Sequence, residues 1–299
     1  MTDMSQRLAG LDPATRAELV ARLRATHAER TGPDYPDTAV VPINSAGSRP
    51  PLFLLHPSGG SVLPYAPLAA ELDPDRPCFG LQAAGLVGPP DRSVEALVEH
   101  CVSGLRSVRA TGPYQLAGWS TGGVLAFAAA LRLTALGERT RTLVLLDAEA
   151  PPRLAEPPDE PTALALFAVD FAQALDRPPV PPDPAALAAL PAADRSAAVV
   201  RGLVERGLLA AAQADQVRAR AEVFVATVRA GATWRPDRWD GPIHLLVSDE
   251  VTDPDAAAAG WRECTTGTVT VRPVPGDHYS MMRPPQVAEV AAAVEEALR

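Results

Sequence analysis

Leu116-Ala117-Gly118-Trp119-Ser120-Thr121-Gly122-Gly123 is the stretch from which the rest of the chain can be read. An apolar run, residues 114–117, leads into it, and a long Ala/Leu-rich run, residues 124–136, leads out. The first has the length of a buried strand and the second that of a helix. Where a strand turns sharply into a helix, the backbone passes too close to itself for side chains, which explains Gly118 and Gly122. Ser120 then stands at the apex of the turn, hydroxyl exposed, just ahead of a helix N-terminus. That is a nucleophile's position.

On the N-terminal side, residues 39–43 read as a first strand and residues 52–55 (Leu-Phe-Leu-Leu) as a second, which runs straight into His56-Pro57-Ser58-Gly59-Gly60. A helix over 64–72, a strand over 78–81 and a helix over 94–109 follow. On the C-terminal side, residues 141–146 form a clean buried strand that ends on Asp147. This alternation predicts an α/β fold with a mostly parallel sheet and helices on both faces. Residues 151–191 break the pattern, with 11 of the 32 prolines. Helical stretches at 162–175, 194–208 and 211–230 follow one another with no strand between Asp147 and Ile243. An all-helical insertion over 151–233 therefore reads as a lid over the site. The sheet resumes at 243–247 and 268–274, and a closing helix spans 285–298 with Pro285 in its first turn. The core thus comprises residues 37–150 and 234–299. Residues 1–36 stand apart: Asp12-Pro13 is an N-cap pair, Leu8, Leu11, Leu19, Val20 and Leu23 recur at helical spacing, and residues 31–36 have linker composition. Such a stripe fits a helix packed on its own domain as well as one that docks a partner protein.

The net charge of −9 argues against a nucleic-acid partner. All 27 cationic side chains are Arg and none is Lys, which excludes Schiff-base lysines, Walker A lysines and Ser–Lys dyads. Cys78, Cys101 and Cys264 are scattered singly, which suits neither a disulfide framework nor a zinc site. No apolar run reaches membrane-spanning length, and the N-terminus lacks the pattern of a secretory signal, so an intracellular, cytoplasmic protein without metal or membrane contact is expected.

Ser120 needs a base. Of five histidines, only His278 follows a late strand in a Gly-containing loop, where a base reaches a serine at the end of the sheet. His27 falls in the N-terminal helix, His100 in a helix predicted to lie on the surface, and His244 at a strand start; His56 shapes the turn after the second strand. The base needs an acid to fix its tautomer. Asp147 and Asp249 both follow strands in the order Ser…Asp…His. Asp147 is preferred because it directly ends an unbroken buried run, whereas Asp249, Glu250 and Asp253 read as a solvated turn and helix cap. The N–H groups of Ser58 and Thr121 are the candidate oxyanion donors.

Four motifs together give a family resemblance: Pro51-Leu-Phe-Leu-Leu-His-Pro-Ser-Gly-Gly60, Gly118-Trp-Ser-Thr-Gly-Gly123, Leu145-Leu-Asp147 and Gly276-Asp-His-Tyr-Ser-Met281. From about Val40 to the C-terminus the sequence resembles the type I thioesterase domains of nonribosomal peptide and polyketide synthases, an α/β-hydrolase family. The resemblance implies Ser120 as nucleophile, His278 as base, Asp147 as acid and a helical lid. It also implies a substrate held on the phosphopantetheine of an acyl or peptidyl carrier, no cofactor of the enzyme's own, and release by hydrolysis or macrocyclisation. Transfer between carriers, an intracellular esterase and a non-catalytic carrier-binding scaffold are the other readings. No carrier-like Leu-Gly-Gly-x-Ser-Leu segment is present, so the chain reads either as a free-standing protein, with residues 1–31 as a carrier-docking element, or as an excised synthase domain. The arginines of the insertion (Arg153, Arg195, Arg201, Arg206, Arg218 and Arg220) face either an acidic carrier or, for most of them, solvent.

Overall fold

A computed structural model describes residues 39–152 and 154–299. The docking element proposed over residues 1–31, the linker, His27 and Arg153 lie outside the described residues.

The apolar runs become a seven-stranded sheet: β1 (Val40–Asn44), β2 (Leu52–Leu55), β3 (Cys78–Leu81), β4 (Tyr114–Trp119), β5 (Thr140–Leu146), β6 (Ile243–Ser248) and β7 (Val269–Val274), in the order β1-β3-β2-β4-β5-β6-β7. Only β1 is antiparallel, against β3. The remaining pairs are parallel. Both faces of the sheet are covered, which is why β2 is apolar at every position, and β4 at every position but Gln115, instead of alternating. Phe53, Leu55, Leu116, Leu143 and Leu145 face one side, packed by α2 (Val94–Val108), α3 (Thr121–Ala135) and α8 (Pro254–Cys264). Leu52, Leu54, Ala117, Val144 and Leu146 face the other, packed by α1 (Ala66–Glu71) and α9 (Val287–Ala297). Helix α3, directly after Ser120, is buried at every residue from Thr121 to Ala130, as a central helix apolar all round must be.

Four helices fill the interval between β5 and β6: α4 (Glu160–Ala174), α5 (Pro184–Ala188), α6 (Ala192–Glu205) and α7 (Ala214–Ala232). They carry an apolar cluster of their own, including Phe167, Phe171, Val200, Leu203 and Phe224, distinct from the two on the sheet.

Some elements differ from the reading of the sequence. The helix expected over 64–72 begins with a 3₁₀ turn at Leu63–Tyr65. Helix α5 was not expected; Asp183 caps it by accepting the Ala185 N–H at 3.0 Å. Helix α8 is started by the Asp253 carboxylate, which accepts the Ala256 N–H at 3.0 Å. Helix α9 begins at Val287, so Pro285 precedes its N-cap, Gln286. Helix α2 buries seven residues against the sheet, and His100 on it is half-buried.

One side chain ties the two strands that carry the site. The Tyr65 hydroxyl, fully buried, donates to Leu55 O at 2.5 Å and accepts the Trp119 N–H at 2.8 Å. It thereby holds the end of β2 to the end of β4, one residue before Ser120. Tyr65→Phe strands a buried C=O and a buried N–H together. Urea unfolding should show a loss of about 2–4 kcal/mol, on the scale of two unmet buried partners; an unchanged midpoint would show that the bridge contributes nothing.

Candidate active site

The site is built on the C-terminal ends of neighbouring parallel strands, where an open α/β sheet presents its loops. At the end of β4, Gly118 and Gly122 come so close that a Cβ on Gly118 would lie 2.0 Å from Gly122 O, and one on Gly122 would lie 2.5 Å from Leu55 O. No other residue fits at either place. Between them Ser120 has φ 58° and ψ −130°, outside the regions L residues prefer. Its N–H donates to Leu146 O at 2.9 Å, which fixes the turn to the end of β5.

One residue past β5, Asp147 also has positive φ, 46°. Its N–H donates to Leu246 O at 2.7 Å, its Oδ1 accepts the Ser248 N–H at 2.8 Å, and its Oδ2 lies 2.6 Å from His278 Nδ1. Burial pushes the carboxyl up, but the bonds to His278 and Ser248 outweigh it and hold Asp147 below the usual carboxylate range. Asp147 is therefore ionised at neutral pH, and His278 Nδ1 is the donor in the pair. The loop bearing His278 is shaped by Gly276 at φ 96° and by Asp277 Oδ1, which accepts the N–H groups of Tyr279 and Ser280 at 2.8 and 2.7 Å. The Trp119 indole N–H donates to His278 O at 3.0 Å, and the two rings lie 5.0 Å apart.

Ser120, Thr121, Asp147 and His278 line one cavity of about 600 Å³. Ser120 also lines a second cavity, of about 220 Å³, together with Ser58, Asp170, Arg220 and Tyr279. Ser58 and Thr121 are thus found on the two cavities that share Ser120. Among the described residues, no protein acceptor takes the N–H of either.

Asp249 does not join the group. Its N–H donates to Gly276 O at 3.0 Å and its Oδ2 accepts the Gly276 N–H at 3.3 Å, so it ties the end of β6 to the end of β7. His56 is fully buried, with Nδ1 2.9 Å from Pro57 O. His244 lies within β6. Of the insertion's arginines, Arg195 pairs with Glu160 at 2.7 Å, Arg218 with Glu222 at 3.4 Å, and Arg206 donates to Val180 O at 2.7 Å. The solvated reading was made for most of these residues, and Arg220 is the exception: it lines the cavity beside Ser120. Sequence reasoning missed Tyr65, Trp119, Asp170 and Arg220. For Asp170 there was a signal, a lone carboxylate in the apolar run Leu164-Ala-Leu-Phe-Ala-Val-Asp-Phe of α4.

Comparison with known proteins places the chain in a family. The model of the thioesterase domain matches residues 50–298. The chain belongs to the thioesterase domain family. Its fold is the α/β-hydrolase fold of the structural neighbours. It is 31% identical over 284 residues to the protein named "Probable non-canonical nonribosomal peptide synthetase (NRPS) CymA" of Salinispora arenicola (strain CNS-205), covering 91% of this chain and 4% of that one. A dimodular nonribosomal peptide synthase of Bacillus subtilis (strain 168) is 36% identical over 135 residues, 44% of this chain and 6% of its own length. This thioesterase-family chain therefore spans only a small fraction of the curated relatives it matches. Among solved structures, holo-AB3403, a four-domain nonribosomal peptide synthetase bound to AMP and glycine, superposes with a TM-score of 0.77 at 25% identity, over 91% of this chain and 21% of the other. The Vlm2 thioesterase domain superposes at 0.62 and 27% identity, over 86% and 96%. Among the described residues no helix is long and apolar enough to cross a membrane, and no cluster of His, Cys, Asp and Glu side chains is arranged to hold a metal ion.

His56 generates a pH prediction. Burial, set against the Pro57 carbonyl bond, lowers its pKa from 6.5 to about 4. The unfolded chain therefore binds a proton there between pH 6.5 and about 4 that the folded chain does not. The stability His56 contributes is complete above pH 6.5 and falls away as the pH drops through that window, by about 3 kcal/mol in all. Urea unfolding across that range should show a shallower pH slope for His56→Gln than for the wild type. Parallel slopes would mean that His56 is not the group responsible.

Proposed function

We propose that the chain cleaves the thioester of an acyl or peptidyl group carried on the phosphopantetheine of a carrier protein, through an acyl-Ser120 intermediate. The observation that carries the reading is the 2.6 Å Asp147–His278 bond on the cavity that also holds Ser120. With Nδ1 donating to Asp147, His278 keeps its Nε2 lone pair for a proton. Ser120 Oγ attacks the thioester carbon as Nε2 takes the Oγ proton. The carbonyl oxygen, now negative, is received by the N–H groups of Ser58 and Thr121. As the tetrahedral intermediate collapses, the C–S bond breaks and the imidazolium returns its proton to the leaving thiolate, which leaves the acyl ester on Ser120. In the second step His278 deprotonates water, or a hydroxyl or amine of the acyl chain itself. Attack on the ester then frees Ser120 and gives an acid or a ring.

The carrier as partner is supported by relatives that are nonribosomal peptide synthetases, and the peptidyl group by the Vlm2 thioesterase domain with genetically encoded 2,3-diaminopropionic acid, solved with a bound dodecadepsipeptide. The four-helix insertion, with Arg220 and Asp170 on the cavity beside Ser120, acts as the wall that receives the acyl chain.

Intact-protein mass spectrometry tests the nucleophile. Incubation with acyl-pantetheine thioesters and with a fluorophosphonate should leave an adduct on the wild type and none on Ser120→Ala, and turnover should fall on the order of 10⁶-fold. A wild-type protein that folds and takes neither label is not an enzyme of this kind.

The assignment of the acid makes a separate prediction. Asp147→Asn should lower kcat by roughly 10⁴-fold, the scale seen when an amide replaces the acid that fixes the base's tautomer. Asp249→Asn should affect kcat far less, since Asp249 only joins two loops. Steady-state kinetics showing the reverse order would move the acid to β6.

A further inference from the structure

The smaller cavity beside Ser120 is lined by a cation that, among the described residues, forms no ion pair. Arg220, on α7, lines it with Ser58, Gly59 and Asp170. Gly59 leaves room for the guanidinium: a Cβ there would stand 3.6 Å from Arg220 Nη2 and 3.8 Å from Nε, so Arg220 lies directly against the turn that carries the Ser58 N–H. The Phe171 ring lies 5.8 Å from its guanidinium carbon, and Asp170 acts on it electrostatically. Among the described residues Arg220 makes no salt bridge within 4.0 Å and no hydrogen bond, and its Nε is buried without a partner. Arg195 and Arg218 on the same insertion are paired. A guanidinium has five N–H donors in a planar fork and keeps its charge, and half-buried Arg220 has its Nε donor sealed off without a partner, which is costly. Burial pulls the Arg220 pKa down, in spite of Asp170, which is the same deficit seen from another side.

Asp170 does not supply the missing acceptor. Its Oδ1 accepts the Tyr279 hydroxyl at 3.0 Å, and burial pushes its carboxyl up. A ligand can supply an acceptor, and because Ser120 lines the same cavity, the group that Ser120 attacks is the one placed to bring it. The phosphate of a pantetheine arm does not meet this condition. The whole length of the arm separates it from the thioester carbon, whereas Arg220 and Ser120 share a space of about 220 Å³.

We infer that Arg220 recognises a carboxylate on the acyl chain, a few bonds from the thioester carbon, so that the cavity beside Ser120 selects acidic acyl groups. The inference rests on the thioester-cleaving reading above and adds the substrate's chemical class. A carboxylate matches the guanidinium fork with two parallel hydrogen bonds, which a neutral amide cannot do.

The test compares succinyl, glutaryl and adipyl thioesters of pantetheine with their neutral terminal-amide counterparts, with uncatalysed loss measured in parallel. Within this series, wild-type kcat/KM should favour the carboxylate over the matching amide by about 10- to 100-fold at the best chain length. Arg220→Met should bring that ratio close to one, and Arg220→Lys should retain part of it. Asp170→Asn removes a neighbouring like charge and should keep or raise it. A wild-type ratio near one at every length, or a preference for the amide, overturns the inference without requiring any variant to fold. So does an Arg220→Met enzyme that keeps the wild-type ratio. Turnover of both members of each pair without discrimination defeats only the acidic-chain inference. If no thioester is consumed and the fluorophosphonate leaves Ser120 unlabelled, the thioester-cleaving reading fails, and this inference with it.

Discussion

Ser120 occupies a backbone conformation that its own chemistry disfavours. A non-glycine residue at φ 58° and ψ −130° costs about 1–3 kcal/mol, and it persists only where the surroundings leave no alternative. They constrain it from several sides. Gly118 and Gly122 permit an approach that any side chain would block. Leu146 O takes the Ser120 N–H, and Ser120 O takes the Gly123 N–H. Tyr65 fixes the residue before it to the end of β2. The strain is therefore held by a rigid parallel sheet, and the hydroxyl stands clear of the strand end at a fixed height.

The same device recurs one strand along. Asp147, at φ 46°, is also just past a strand end, and its carboxylate is held by the Ser248 N–H so that the other oxygen faces His278. Trp119 closes the arrangement: it immediately precedes Ser120, and its indole N–H holds the backbone carbonyl of His278. The strands β4, β5 and β6 and the loop after β7 are thus cross-linked through the functional residues themselves. An error in the register of one strand would shift the geometry of all of them.

The sequence carried the strand-and-helix order well, because buried parallel strands are short unbroken apolar runs and their glycine turns are distinctive. Ser120 and Asp147 were legible as strand-end residues because each directly follows such a run, a one-dimensional property, and His278 because it lies in the Gly-containing loop after β7. Tyr65 was not legible. Its hydroxyl meets Leu55 and Trp119 only after the chain has folded back across 10 and 54 residues. Arg220 was not legible either, since it lies among the arginines of a charged helix and only the packing of α7 shows which of them points inward. The turn at 63–65 was read as regular helix because a proline near a helix start marks an N-terminus without specifying whether the first turn is 3₁₀ or α.

The insertion's separate apolar cluster gives this division a physical basis. Phe167, Phe171, Val200, Leu203 and Phe224 hold the four helices to one another and not to the sheet. A substitution at Arg220 acts on the cavity beside Ser120, whereas one at Asp170 also removes the acceptor of the Tyr279 hydroxyl, next to His278. A change at Gly118 or Tyr65 strikes the sheet itself. The strand ends that carry Ser120 and Asp147 and the helices that wall the cavity beside Ser120 thus rest on different apolar clusters.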